Sequence, residues 1–195
     1  MNKDLFLDFI QNNIPHIPIN KTALEGIVDG FEELTFEKGE YILKQGKISG
    51  YYVLLEGYVR AYTISDKGDE ITTYFYPPKR VIFEAASFFE GAKSSENIQA
   101  ISQCFGYYTT FDKLNQMFHS LPEFREFGRA MLVKEFVEYK KRTLSMINKT
   151  AEERYAELIQ TNKVIFQVAQ LKHIASYLGM TNTSLSRVRA EFSKK

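Results

Sequence analysis

The chain has 195 residues, 44% apolar and 25% charged, the balance of a globular protein with room for one sizeable core or for a larger domain plus a small one. No run of about 18 apolar residues occurs, so no membrane-spanning helix is expected, and the single cysteine, Cys104, excludes both a disulfide framework and an iron–sulfur cluster. The net charge of +1 hides an asymmetry: residues 1–139 carry 14 Lys/Arg against 20 Asp/Glu, whereas residues 140–195 carry 11 against 4. An acidic body joined to a basic final quarter points to a C-terminal part that faces nucleic acid; the alternative is a solvated basic helix with no partner.

The N-terminal MNKDLFLDFIQNN holds two aspartates and no basic stretch leading into an apolar one, so a signal peptide is not expected and a cytoplasmic location is. Residues 3–33 read as helical, with Leu5, Phe6, Phe9 and Ile10 at helical spacing and a break at Pro15 and Pro18. From Leu34 to Thr110 the pattern changes. Glycines recur at 39, 46, 50, 57 and 68, separated by YYVLL (51–55), YVRAYTI (58–64) and EITTYFY (70–76). Val59 and Ala61 alternate with Tyr58, Arg60 and Tyr62; Ile71, Thr73 and Phe75 alternate with Thr72, Tyr74 and Tyr76. SDKG (65–68) reads as a hairpin loop in which Gly68 takes the positive φ required. Further strands are predicted at 81–83, 97–101 and 105–109. Many short strands between glycine turns predict an all-β roll or barrel.

Asp112 reads as the N-cap of a short helix ending at His119, and Pro122 opens the next helix. From Glu123 to about Asn148 there is no proline, and Ala130, Val133, Val137, Lys140, Leu144 and Ile147 follow the 3-4-3-4-3 spacing of a coiled-coil seam. Phe127, Met131 and Phe136 lie off that seam. The spacing favours a dimer helix; the alternative is a helix packed on its own domain.

TAEERYAELIQTN (150–162) predicts a helix with Thr150 as N-cap and Glu153 completing a capping box. VAQLKHIASYLGM (168–180) predicts the next, with Leu171, Ile174, Ala175 and Leu178 inward. Ala175 supplies the small residue of a helix-turn-helix, Gly179 the residue tolerant of positive φ, and Leu185 the apolar anchor of the second helix. That second helix, roughly 182–192, is capped by the Thr181 hydroxyl. It offers Asn182, Thr183, Ser186 and Arg187 for base edges, and Thr181, Ser184 and Arg189 for phosphates. For Arg187 and Arg189 the alternative is charge complementing a helix C-terminus.

The glycine-punctuated roll, the long helix, Glu153–Arg154–Tyr155 and IASYLG…SLSRVR together resemble the Crp/Fnr family of bacterial transcription regulators along nearly the whole chain, most specifically over residues 152–189. The resemblance implies an α+β fold: an N-terminal β-roll, a cyclic-nucleotide-binding-like jelly roll, then a long dimerisation helix and a C-terminal winged helix-turn-helix. It divides the chain into a sensory roll with flanking helices (1–121), a dimerisation helix (122–148) presenting Ala130, Val133, Val137, Leu144 and Ile147, and a DNA-binding domain (149–195). It implies a homodimer on a near-palindromic double-stranded DNA site, with RNA polymerase a further candidate partner. Only six residues follow Arg189, so a truncated wing is expected.

Cyclic-nucleotide-binding members of the family carry a Gly-Glu pair and, ten residues after the Glu, an Arg-Ser pair whose guanidinium holds the cyclic phosphate. In VIFEAASFFEGAKSSEN Glu84 keeps the acid, Phe83 replaces the glycine, and Ser94 followed by Ser95 stands where Arg-Ser should be. A phosphate there would meet Glu84 and Glu96 with no cation, so neither cyclic AMP nor cyclic GMP is expected to bind. Tyr74, Phe83, Glu84, Ser94 and Ser95 are the candidates for a different, unidentified effector; the alternative is that the roll's aromatics only fill its core. His16, His119 and His173 are scattered, so no haem, metal or other cofactor is expected, and Cys104 reads as a buried inert thiol. No catalytic or phosphate-loop signature occurs, which argues against an enzyme. The competing reading is a ligand- or protein-binding module whose DNA-binding domain no longer functions.

Overall fold

The structure, a computed structural model, describes residues 3–192. Helix α1 (Lys3–Asn13) buries Phe6, Phe9 and Ile10, and α2 (Lys21–Asp29) starts at Asn20, whose side chain accepts the Ala23 N–H. The helical reading of 3–33 stops short, because β1 already begins at Glu32. The strands are β1 (Glu32–Phe36), β2 (Tyr41–Leu43), β3 (Tyr51–Glu56), β4 (Val59–Ile64), β5 (Glu70–Tyr76), β6 (Arg80–Ile82), β7 (Asn97–Ala100) and β8 (Cys104–Thr109). They form two antiparallel four-stranded sheets, ordered β1-β8-β3-β6 and β2-β7-β4-β5. Gly68 closes the β4–β5 hairpin at φ +84°.

Two cores hold this body. Between the sheets lie Leu43, Leu54, Val59, Ala61, Tyr76 and Ile98. On the other side of the first sheet, Phe6, Ile10, Val53 and Tyr107 pack with Phe124, Phe127 and Met131. The alternation read in β4 and β5 breaks down in places: Val59, Arg60, Ala61 and Tyr62 are all buried, while Ile71 is exposed. The reason is that β4 is covered on both faces, by the opposite sheet and by the C-terminal helices.

Helix α3 (Ala85–Glu90) is capped by Glu84, which accepts the Ala86 and Ser87 N–H groups. Helix α4 (Phe111–Ser120) is capped by Thr110, not Asp112; the Thr110 hydroxyl accepts the Lys113 N–H, and Asp112 sits in the first turn, where its charge suits the helix dipole. Helix α5 (Pro122–Asn148) has Pro122 at its first turn.

The C-terminal part comprises α6 (Ala151–Thr161), α7 (Ile165–Val168), α8 (Leu171–Tyr177) and α9 (Asn182–Phe192). Thr150 and Glu153 form the reciprocal capping box on α6. The single helix expected over 168–180 is interrupted: α7 ends at Val168, Ala169 and Gln170 are extended, and α8 starts at Leu171, which is exposed rather than inward. The core here joins Tyr155, Leu158, Ile165, Ile174, Ala175, Leu178, Leu185 and Val188. Among the described residues no helix is long and apolar enough to cross a membrane. The chain is an α+β protein, a roll of two four-stranded sheets followed by helices. The expected wing falls at the chain's end, of which residues 193–195 lie outside the described residues.

Candidate DNA-reading helix and effector cavity

The turn between α8 and α9 is built by its backbone. Ala175, 2% exposed, accepts the Met180 N–H at 3.0 Å, and Gly179 adopts φ +67°. The Arg154 guanidinium donates to the Leu178 carbonyl at 2.9 Å, closing the end of α8 from α6. Thr181 then caps α9: its hydroxyl accepts the Ser184 N–H at 3.1 Å and donates to the Ser184 hydroxyl at 3.0 Å. Leu185 and Val188 anchor α9 inward. Around α9 and its cap, Thr181, Asn182, Thr183, Ser186, Arg187 and Arg189 are exposed to solvent, and Ser184 is half-buried. The seven residues singled out for DNA contact thus lie on one helix and its cap.

Helix α5 changes character along its length. Phe124, Phe127 and Met131 belong to the body core, and Ala130 packs partly against it rather than joining an open seam. Beyond Met131 the apolar side chains emerge: Val133, Val137, Leu144 and Ile147 are exposed, Ile147 by 71%. Phe136, which falls off the seam by spacing, is exposed by 70% and flanks it. A monomer would leave this stripe in water.

A cavity of about 460 Å³ lies between α5 and the roll. Tyr76, Phe83 and Phe89 line it from the roll side, Phe136 and Tyr139 from α5, and Glu84, Glu96 and Glu135 are also among its lining residues. Of the sequence candidates, Phe83, Glu84 and Ser95 line this cavity; Ser94 and Tyr74 do not. Ser94 is buried in the turn before β7, where its hydroxyl donates to the Glu96 carbonyl and accepts the Glu96 N–H, and its carbonyl accepts the Gly46 N–H. Tyr74 accepts from Arg80 at 2.7 Å and lines a separate cleft beside Arg142 and Tyr177. Lys93, next to Ser94, lies in a loop and is exposed. Glu135 pairs with Arg80 at 3.2 Å, both side chains 12% exposed. Burial pushes the Glu96 carboxyl up, against the pull of the Thr73 hydroxyl and with Glu84 adding to the rise, and burial likewise raises Glu135 against the pull of Arg80.

Sequence reasoning missed the seam between the roll and the helix-turn-helix. Helix α8 lies on β5: the Ser176 hydroxyl accepts the Thr72 N–H at 2.8 Å and donates to the Glu70 carbonyl at 3.3 Å. Phe75 meets the Tyr177 ring, and Arg142 stacks over Tyr177 at 3.7 Å while donating to the carbonyls of Thr73 and Tyr177. Arg60, 1% exposed, pairs with Glu70 at 2.7 Å, and His173 Nε2 lies 3.3 Å from the same carboxylate. Burial and the Arg60 charge push His173 down to about 4. Burial raises the Glu70 carboxyl, but the hydrogen bond and charge of Arg60 outweigh it and hold it low. The available signal was Arg60 itself, a charge in the apolar run YVRAYTI, which demanded a buried partner. The hairpin residues Asp69 and Glu70 face Thr181 and Asn182 across an adjoining cleft.

Residues 33–120 match the cyclic nucleotide-binding domain family. The electron transport regulator A of Shewanella oneidensis is 26% identical over 192 residues, covering 90% of this chain and 75% of that protein. The transcriptional activator protein Anr of Pseudomonas protegens is 24% identical over 185 residues, covering 88% of this chain and 74% of the activator. A solved structure from Eubacterium rectale, assigned to the Crp/Fnr transcriptional regulators, shares the fold with a TM-score of 0.70 at 18% identity over 90% of this chain and 84% of that one. The body is thus similar to a cyclic nucleotide-binding domain, and over about nine-tenths of its length the chain is similar to an electron transport regulator, to the activator Anr and, in fold, to a structure of the Crp/Fnr family.

Proposed function

We propose that this chain is a sequence-specific DNA-binding transcription regulator that pairs along α5 and is not controlled by cyclic AMP. The observation that carries this reading is α9: Asn182, Thr183, Ser186 and Arg187 share its exposed face, while Leu185 and Val188 hold it from behind. Asn and Arg side chains suit the donor and acceptor patterns of the major groove, and the first turn of such a helix makes most base contacts. Thr181, Ser184 and Arg189 take the phosphates. The apolar stripe Val133–Val137–Leu144–Ile147 supplies the pairing surface, and two-fold pairing sets recognition helices about 34 Å apart, one helical turn of DNA.

Control by cyclic AMP is disfavoured because Ser94 is consumed by its own turn and no Lys, Arg or His is among the residues lining the cavity. The cavity remains the candidate effector site, with Phe83, Glu84 and Ser95 on its wall. The competing reading, a module with a non-functional DNA-binding part, is disfavoured by the intact Ala175–Gly179–Leu185 framework. The test is fluorescence anisotropy of the purified chain on DNA from upstream of its own gene, at several salt concentrations. A salt-dependent complex that survives competitor DNA supports the reading; equal affinity for unrelated DNA refutes it.

A further inference from the structure

We propose that the cavity between α5 and the roll takes a small organic cation, an ammonium group carried on an apolar body. This rests on reading the cavity as the effector site, and it is independent of whether α9 reads DNA. The volume of about 460 Å³ suits a small molecule. The wall is built from aromatic rings and carboxylates, a combination that attracts positive charge twice over, through ring faces and through Coulomb attraction.

The carboxylates are not equivalent. Glu135 is already paired with Arg80, and Glu84 spends both oxygens on the first turn of α3. Glu96, half-buried on the cavity wall near Glu84 and Thr73, has no ion pair among the described residues. Removing a carboxylate from water without a compensating charge is costly, and burial accordingly holds the Glu96 proton more tightly than usual. An ammonium in the cavity would supply that compensation while its apolar body covers Phe83, Phe89 and Tyr139. Among the described residues no group of three His, Cys, Asp or Glu is placed to hold a metal ion, so the geometry favours an organic cation. An anion would meet three acids and no base.

Isothermal titration of the full chain, without DNA, compares 2-phenylethylamine and benzyltrimethylammonium with 3-phenylpropanoate, a carboxylate of similar shape. At least one cation should bind with a Kd below about 1 mM and at least about tenfold more tightly than the anion. Glu96→Gln keeps the shape and should weaken the cation at least tenfold; circular dichroism checks its fold. Phe89→Leu, on the surface of α3, should weaken the cation several-fold and serves if Glu96→Gln is poorly folded. Equal binding of 3-phenylpropanoate, failure of both cations to bind, or unchanged affinity in a folded Glu96→Gln overturns the proposal. DNA binding measured on the same preparation separates that failure from a failure of the regulatory reading.

Discussion

Replacing Gly179 with alanine isolates the backbone cost of the helix-turn-helix corner. Gly179 sits at φ +67°, where an L side chain pays about 1–2 kcal/mol. A Cβ there would lie 2.9 Å from the terminal methyl of Met146 and 3.6 Å from the Arg154 guanidinium. The Met146 methyl ends a flexible chain that is 39% exposed, so it can move aside cheaply and the dihedral term dominates. The expected loss is therefore about 1–2 kcal/mol, roughly 2–8 °C in Tm for a chain of this size. Differential scanning fluorimetry of Gly179→Ala measures it, with Gly179→Asn as a comparator that should lose less, since Asn tolerates the left-handed region. The double variant Gly179→Ala/Met146→Ala should lose at least as much as Gly179→Ala alone. An unchanged Tm, or full recovery on removing Met146, would refute the dihedral explanation.

Ile147→Ala should leave the monomer folded, since alanine favours helix and Ile147 is 71% exposed. It should cost roughly 1.5 kcal/mol per copy, and so raise the dimer dissociation constant about a hundredfold, read by sedimentation velocity. Arg142→Ala removes two hydrogen bonds and a ring contact at the seam between roll and C-terminal helices, and should lower Tm by several degrees. His173 faces Arg60, Glu70 and Lys172, and its folded pKa of about 4 lies below its ordinary value. Between pH 6.5 and 4 the unfolded chain takes up a proton that the folded chain refuses, so stability is lost as pH falls, by about 2 kcal/mol at pH 5. Comparing Tm at pH 7 and pH 5 for the parent and His173→Gln checks this; the variant should lose less on acidification.

The features legible in the sequence were those written in local backbone chemistry. Gly68 and Gly179 announce their turns because both need positive φ, and the Thr150–Glu153 box announces the start of α6. The face of α9 followed in part from Leu185, the apolar anchor expected of its helix; the second inward residue, Val188, was seen only in the structure. Features that depend on distant parts of the chain were not legible. Asp112 and Thr110 are both good caps, and only the position of β8 selects Thr110. The seam residues Ser176, Glu70 and Thr72 are polar and unremarkable singly, and they meet across about a hundred positions. Ser94 was noticed for the cation it lacks; that it faces away from the cavity depends on hydrogen bonds to Glu96 and Gly46 that spacing does not encode.

The most direct test of DNA reading is a binding-site selection with the parent chain and with Arg187→Ala, at matched salt. Arg187 is exposed on α9 and expected to read one base pair in each half-site. The parent should enrich a near-palindromic sequence, and Arg187→Ala should lose about 1–3 kcal/mol per half-site and relax preference at the corresponding symmetric positions only. Selection of no common sequence by the parent, or an identical preference in the variant, would contradict the assignment of α9 as the reader.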